Sequence, residues 1–80
     1  MTTEFKLKHP ITGDDGREIA HIKVRRARVK DIEIMQEETT QLKQSIRLLS
    51  ILAEISTDEV RNLDSADFNA VSDEVADFLG

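Results

Sequence analysis

Cysteine, tryptophan and tyrosine are absent from this sequence, which carries one proline, three glycines and three phenylalanines in 80 residues. Without cysteine there is no disulfide framework and no thiolate metal site, and the composition suits a reducing compartment. With aromatics at only 4%, a core has to be built from Ile, Leu and Val. No apolar run approaches the roughly 20 residues that cross a bilayer; the longest cluster is Leu48-Leu49-Ser50-Ile51-Leu52-Ala53. The opening Met1-Thr2-Thr3-Glu4-Phe5-Lys6 lacks the apolar stretch of a signal peptide, so the protein is expected to stay in solution where it is made, with no membrane contact. Neither Gly nor Pro occurs between Gly16 and Gly80, so nothing in that stretch enforces a break.

What is present describes an ordinary globular chain: 39% hydrophobic and 34% charged residues, expected to form a single domain over 1–80. A core of this size leaves roughly 3–5 kcal/mol of net stability, which makes partner-assisted folding or self-association natural. The net charge of −5 is unevenly spread. Residues 1–30 hold eight Lys/Arg against four acids, a net of +4, while residues 31–80 hold Lys43, Arg47 and Arg61 against twelve acids, a net of −9. Such a dipolar molecule suits head-to-tail pairing or two differently charged faces. Two merely solvated surfaces account for it equally well.

In residues 3–9, Phe5 and Leu7 alternate against Glu4, Lys6 and Lys8, the period of a half-buried strand, and Pro10 is expected to end it. Gly13-Asp14-Asp15-Gly16 has turn chemistry, and beyond it Ala20, Ile22 and Val24 alternate with His21, Lys23 and Arg25. The pattern predicts a β-hairpin over 3–25 with its loop around 10–17. A lone hairpin is marginal in water, and the helical remainder, 31–79, provides a cover. A short helix is expected near Asp31, with Ile32 and Met35 as apolar positions. A longer helix fits 39–55, with Leu42, Ile46, Leu49, Leu52 and Ile55 at helical spacing. Whether these two are separate or one bent rod is open. Ser56-Thr57-Asp58-Glu59 matches a capping box, with Val60 and Leu63 on the buried side of a single turn. Asp64 is a second N-cap candidate, ahead of Phe68, Val71, Val75, Phe78 and Leu79 on one helical face. The fold class is therefore α+β: an N-terminal hairpin with about three helices packed on it.

Residues suited to chemistry are few. His9 and His21 lie on neighbouring predicted strands, but zinc takes three or four ligands and no further His or Cys completes a set. Ser45, Ser50 and Ser56 fall in helical or capping contexts, and Glu37-Glu38 and Asp73-Glu74 suit solvated helix faces. Gly13-x-x-Gly16 is too short for a phosphate-cradling loop. The expectation is a protein that is not an enzyme and takes no cofactor or metal. The basic run 23–30, Lys-Val-Arg-Arg-Ala-Arg-Val-Lys, supports an alternative, a small DNA-binding transcriptional regulator laying cations along phosphates. Against it stand the net negative charge and the absence of interleaved aromatics.

In order and spacing, several segments resemble a known family. Phe5-Lys-Leu-Lys-His-Pro10-Ile11, Gly16-Arg-Glu-Ile19, Ile22-Lys-Val-Arg25-Arg26 and Lys30-Asp31-Ile32 resemble the opening of phage tail assembly chaperones. Leu49 to Ile55, Glu59-Val60-x-x-Leu63-Asp64-x-x-Asp67-Phe68 and Val71-x-x-x-Val75 resemble that family's later helices. Two departures, Ala27 in place of a frequent Pro and Lys30-Asp31 in place of Gly-Asp, fall on the strand-to-helix turn.

The resemblance implies a non-catalytic protein of the host bacterial cytoplasm. It would bind the tape measure protein during tail morphogenesis, with the tail tube protein as a further partner. It also implies the shorter product of a frameshifted pair of a phage or prophage. A helical client with an apolar stripe would be covered by an apolar groove. Leu49, Leu52, Phe68, Val71, Val75, Phe78 and Leu79 are the candidate lining, and a buried core position is the plain alternative for each. Arg25, Arg26 and Arg28 are the candidates for acidic faces of the client or of a neighbouring copy. A third reading, a structural subunit kept in the virion, shares all these features.

Overall fold

The computed structural model describes residues 2–79, with side chains described for 3–76. Strands β1 (Thr2–Thr12) and β2 (Glu18–Arg25) form an antiparallel hairpin. Helices α1 (Val29–Met35), α2 (Gln41–Ala53), α3 (Thr57–Arg61) and α4 (Ser65–Leu79) follow. The α+β class stands, with the expected single turn after residue 56 formed as the short helix α3.

Alternation sorts the hairpin into two faces. The cross-strand pairs Phe5–Ile22 and Thr3–Val24 face the helices, whereas Glu4–Lys23 and Lys6–His21 face outward. One expectation fails here: Pro10 does not end the strand. β1 continues to Thr12, and its register breaks between Lys6 and Ile11. Opposite residues 7–10 stands only Ala20, so β1 bulges and Pro10 sits where no ladder donor is required. The loop is correspondingly shorter, closed by hydrogen bonds from Gly13 N–H to Arg17 O (2.7 Å) and from Gly16 N–H to Gly13 O (3.0 Å). Gly16 takes φ +85°, a left-handed conformation that glycine adopts without penalty. At Gly13 a Cβ would lie 2.7 Å from Glu59 Oε2 and 3.1 Å from Ile19 Cδ1, so a side chain there would displace the Glu59 carboxylate.

The core is aliphatic, as the composition requires. Leu7, Ile22 and Val24 of the hairpin meet Leu48, Leu49 and Leu52 of α2, Val60 and Leu63 around α3, and Val71 and Val75 of α4. Leu42, expected among the apolar positions of the long helix, is instead 62% exposed. It lies in the first turn of α2, on the groove between that helix, α3 and α4.

The helix breaks come from caps, without Gly or Pro. α1 and α2 are separate: Thr40 Oγ1 accepts the Lys43 N–H at 3.1 Å and starts α2. α2 ends at Glu54, which adopts φ 57°, ψ 41° and donates its N–H to Ser50 O. The capping box at 56–59 is present. Glu59 N–H donates to Ser56 Oγ (3.0 Å), and Ser56 N–H donates to Glu59 Oε1 (2.8 Å). Asp64 likewise holds the start of α4, its carboxylate accepting the Ala66 N–H at 3.0 Å.

Candidate functional site

Two aspartates in this small core carry 1% and 6% relative exposure, Asp31 and Asp67. Buried carboxylates are costly unless fully partnered, and both are. Asp31 accepts two hydrogen bonds from Arg25, Nη1 to Oδ2 at 2.8 Å and Nη2 to Oδ1 at 3.1 Å. It also accepts the Arg28 N–H at 2.8 Å, so it is the acid at the third position of α1 that reaches back to the N-cap. The reciprocal half of a capping box is missing there because an Arg side chain offers no acceptor. The Arg25 guanidinium, opposed by burial, holds the Asp31 carboxyl down at about 2. Arg25 Nη1 further donates to Arg26 O at 3.0 Å, which fixes the chain as it turns from β2 into α1.

Asp67, at the third position of α4, accepts the backbone N–H groups of His9 (2.9 Å) and Lys8 (3.1 Å). These are donors that the β1 bulge leaves without a strand partner. The His9 N–H in particular lowers the Asp67 pKa below its ordinary value. Glu59 ties the hairpin loop in the same manner, with Oε2 accepting the Asp14 N–H at 2.8 Å while Ser56 Oγ donates to Asp14 Oδ2 at 2.6 Å. Its pKa also lies below the ordinary value, the Ser56 N–H being the main cause and the Asp14 N–H the next. Both aspartate contacts escape sequence reasoning. The only local signal is an acid in the first turn of each helix, and nothing nearby identifies its donors.

These assignments decide which candidate residues face outward. Arg25 is committed to Asp31 within the chain. Arg26 and Arg28 are exposed at the β2–α1 corner, with Val29, 82% exposed, beside them. Leu49, Leu52 and Val71 are core residues with 1–2% exposure, and Val75 has 6%. Phe68 is half-buried and packs against the core from its rim. The side chains of Phe78 and Leu79 lie outside the described residues. His9 and His21 are both exposed, and among the described residues no group of three His, Asp or Glu is placed to hold a metal.

Two grooves open on the helical side. One of 240 Å³ lies between the end of α1, α2 and α4, over Met35, Gln44, Leu48, Leu49 and Val75. Ser72 also lines it, and its buried Oγ has no hydrogen-bond partner. The other, of 370 Å³, runs between α2, α3 and α4 over Leu42, Ile46, Val60, Leu63 and Phe68, with Arg61 at its edge. Sequence reasoning names Phe68 among the candidate lining and gives Leu42 and Ile46 only as apolar positions of the long helix. Periodicity identifies the apolar side of a helix, not how far along it a cover extends. No helix among the described residues is long and apolar enough to cross a membrane.

Residues 4–80 match the family described as phage tail assembly chaperone proteins, E, or 41 or 14. No curated protein and no solved structure gives a match. The match covers almost the whole length, from the first strand through the last helix, and the chain belongs to the phage tail assembly chaperone family.

Proposed function

We propose that this chain binds the tape measure protein during tail morphogenesis and covers its apolar helical surface until tail tube subunits enclose it. Membership of the chaperone family implies protein partners in tail assembly inside the host cell. The observation that carries the finer reading is the open groove between α2, α3 and α4. There Leu42 is 62% exposed beside half-buried Ile46 and Phe68, on a molecule with few apolar residues to spare. Helix-in-groove recognition uses such a surface. The role is non-catalytic, set in the host cytoplasm, and this chain is the shorter member of a frameshifted pair.

The exposed Arg26 and Arg28 supply a second, electrostatic contact, to acidic faces of the client or of the tail tube protein. Arg25 supports them from behind through Asp31. The DNA-binding alternative is weaker than the bare sequence suggested, because Asp31 removes Arg25 from the basic strip of 23–30.

The test is co-expression with the tape measure protein encoded in the same phage genome, followed by affinity capture and sizing. The expected result is a soluble complex, with the tape measure protein insoluble when expressed alone. If the tape measure protein stays insoluble and nothing co-purifies, the client assignment fails. Mass spectrometry of purified particles separates a chaperone, absent from the virion, from a retained subunit.

A further inference from the structure

Residues 31–80 contain only three cations, Lys43, Arg47 and Arg61. Arg61 lines the groove between α2, α3 and α4, and Lys43 and Arg47 each directly follow a lining residue, Leu42 and Ile46. On α2 the apolar pair and the cationic pair both recur at a spacing of four. They therefore run as parallel ridges about 100° apart around the helix. Lys43, Arg47 and Arg61 are all exposed. The contact between Arg61 and Asp58, 3.3 Å and open to solvent, is of a kind that holds a side chain only weakly. The groove thus has an apolar lining with one cation, Arg61, in it, and two more cations, Lys43 and Arg47, on the adjoining ridge of α2, within an otherwise acidic half.

We propose that this groove takes an amphipathic helix of the tape measure protein whose apolar stripe is bordered by acidic side chains. The proposal rests on the client assignment above and adds the site and the charge pattern of the segment it receives. Apolar side chains of the client spaced three and four apart lie over Leu42, Ile46 and Phe68, and its acids meet Lys43, Arg47 and Arg61. The smaller groove beside Ser72 has no charged residue in its lining, so it offers no such match. The outer hairpin face, with Lys6, His21 and Lys23, offers charge without an apolar anchor. A second copy is a poorer occupant. The acids of α4, Asp73 and Glu74, stand beside Val71 and Val75, which are already buried in their own core.

The full chain is co-expressed with the tape measure protein as wild type, as Leu42→Ser, as Lys43→Glu with Arg47→Glu, and as Lys6→Gln with Lys23→Gln. All five side chains are exposed, so the thermal midpoints of the free variants are expected to match wild type. Wild type and the hairpin double variant capture the client, while Leu42→Ser and the α2 double variant each lose about tenfold or more of the capture. Wild-type capture also weakens at raised salt. Capture by wild type and by both groove variants alike overturns the groove assignment and leaves the client assignment standing. A wild-type protein that captures nothing brings down the client assignment itself. A wild-type dimer turned to monomer by the groove variants, with capture unchanged, makes the groove a contact between copies and overturns the proposal.

Discussion

The two buried aspartates occupy the same position, third in their helices, and stabilise the fold by different means. Asp31 is paired with a guanidinium six residues away in sequence, and the bond shapes one corner of the chain. Asp67 is paired with two backbone N–H groups 58 and 59 residues away, and its bonds hold the last helix to the first strand. In the first, a charge is neutralised by a charge. In the second, a carboxylate accepts from donors that the bulge around Pro10 has set free. A small chain can therefore afford an irregular strand when a distant helix start supplies acceptors for it. The same contact between Asp67 and the strand backbone fixes where α4, and with it one wall of the groove between α2, α3 and α4, comes to rest.

Breaking the first contact is expected to have the largest effect. Asp31→Ala strands the Arg28 N–H and leaves the Arg25 guanidinium, 33% exposed, with only the Arg26 carbonyl. Loss of such hydrogen bonds to a charged group costs about 1.5–3 kcal/mol. That is a large share of the roughly 3–5 kcal/mol available to a core of this size, so the variant should show a much lower urea midpoint by far-UV circular dichroism. Asp67→Ala should be milder and differently distributed. The Lys8 and His9 amides lose their acceptors and should exchange with solvent much faster, while the amides at the β2–α1 corner keep wild-type protection. Uniform loss of protection across both regions would show that the two contacts form one cooperative unit.

Acid sharpens the same comparison. The Asp31 carboxyl titrates at about 2 in the folded chain, below its ordinary unfolded value of about 3.9. The pair's contribution is therefore fully present above pH ~4 and is lost as pH falls from there through ~2. Asp67 and Glu59 are lowered as well, and their contributions fade in the same direction. The thermal midpoint should fall steeply below pH 4, and the fall should be shallower in Asp31→Asn than in Asp67→Asn. Equal slopes in the two variants would mean that the ion pair contributes no more than the backbone contacts.

What was legible in the sequence follows from range. Strand alternation in Phe5, Leu7, Ile22 and Val24, the capping box at Ser56 and Glu59, and the buried side of Val60, Leu63, Val71 and Val75 are set by neighbours a few residues apart. The passage of β1 through Pro10 was not legible, because it depends on an acceptor almost sixty residues away. Nor was the role of Arg25: a cation in a basic run looks like its neighbours until the chain turns and brings Asp31 under it. Of the groove, Phe68 could be named, whereas Leu42 and Ile46 carry the same periodic signal as the core residues Leu49 and Leu52.

The smallest expected effect concerns the residue next to the first contact. Glu54 holds a left-handed backbone at the end of α2, a conformation that costs a side-chain-bearing residue about 1–2 kcal/mol. Glycine removes that cost but gives back part of the gain through a freer unfolded chain. Glu54→Gly should therefore stabilise by about 0.5–1 kcal/mol, read as a higher urea midpoint with an unchanged slope. Glu54 also favours the charged form of Arg25, so its removal takes a little from the ion pair that fixes the neighbouring corner. Salt separates the two effects. It screens the Glu54–Arg25 attraction and leaves the backbone term untouched, so the gain from glycine should be larger at high ionic strength than at low. A gain that shrinks with salt would mean that Glu54 is on balance repelled by neighbouring carboxylates, outweighing its attraction to Arg25.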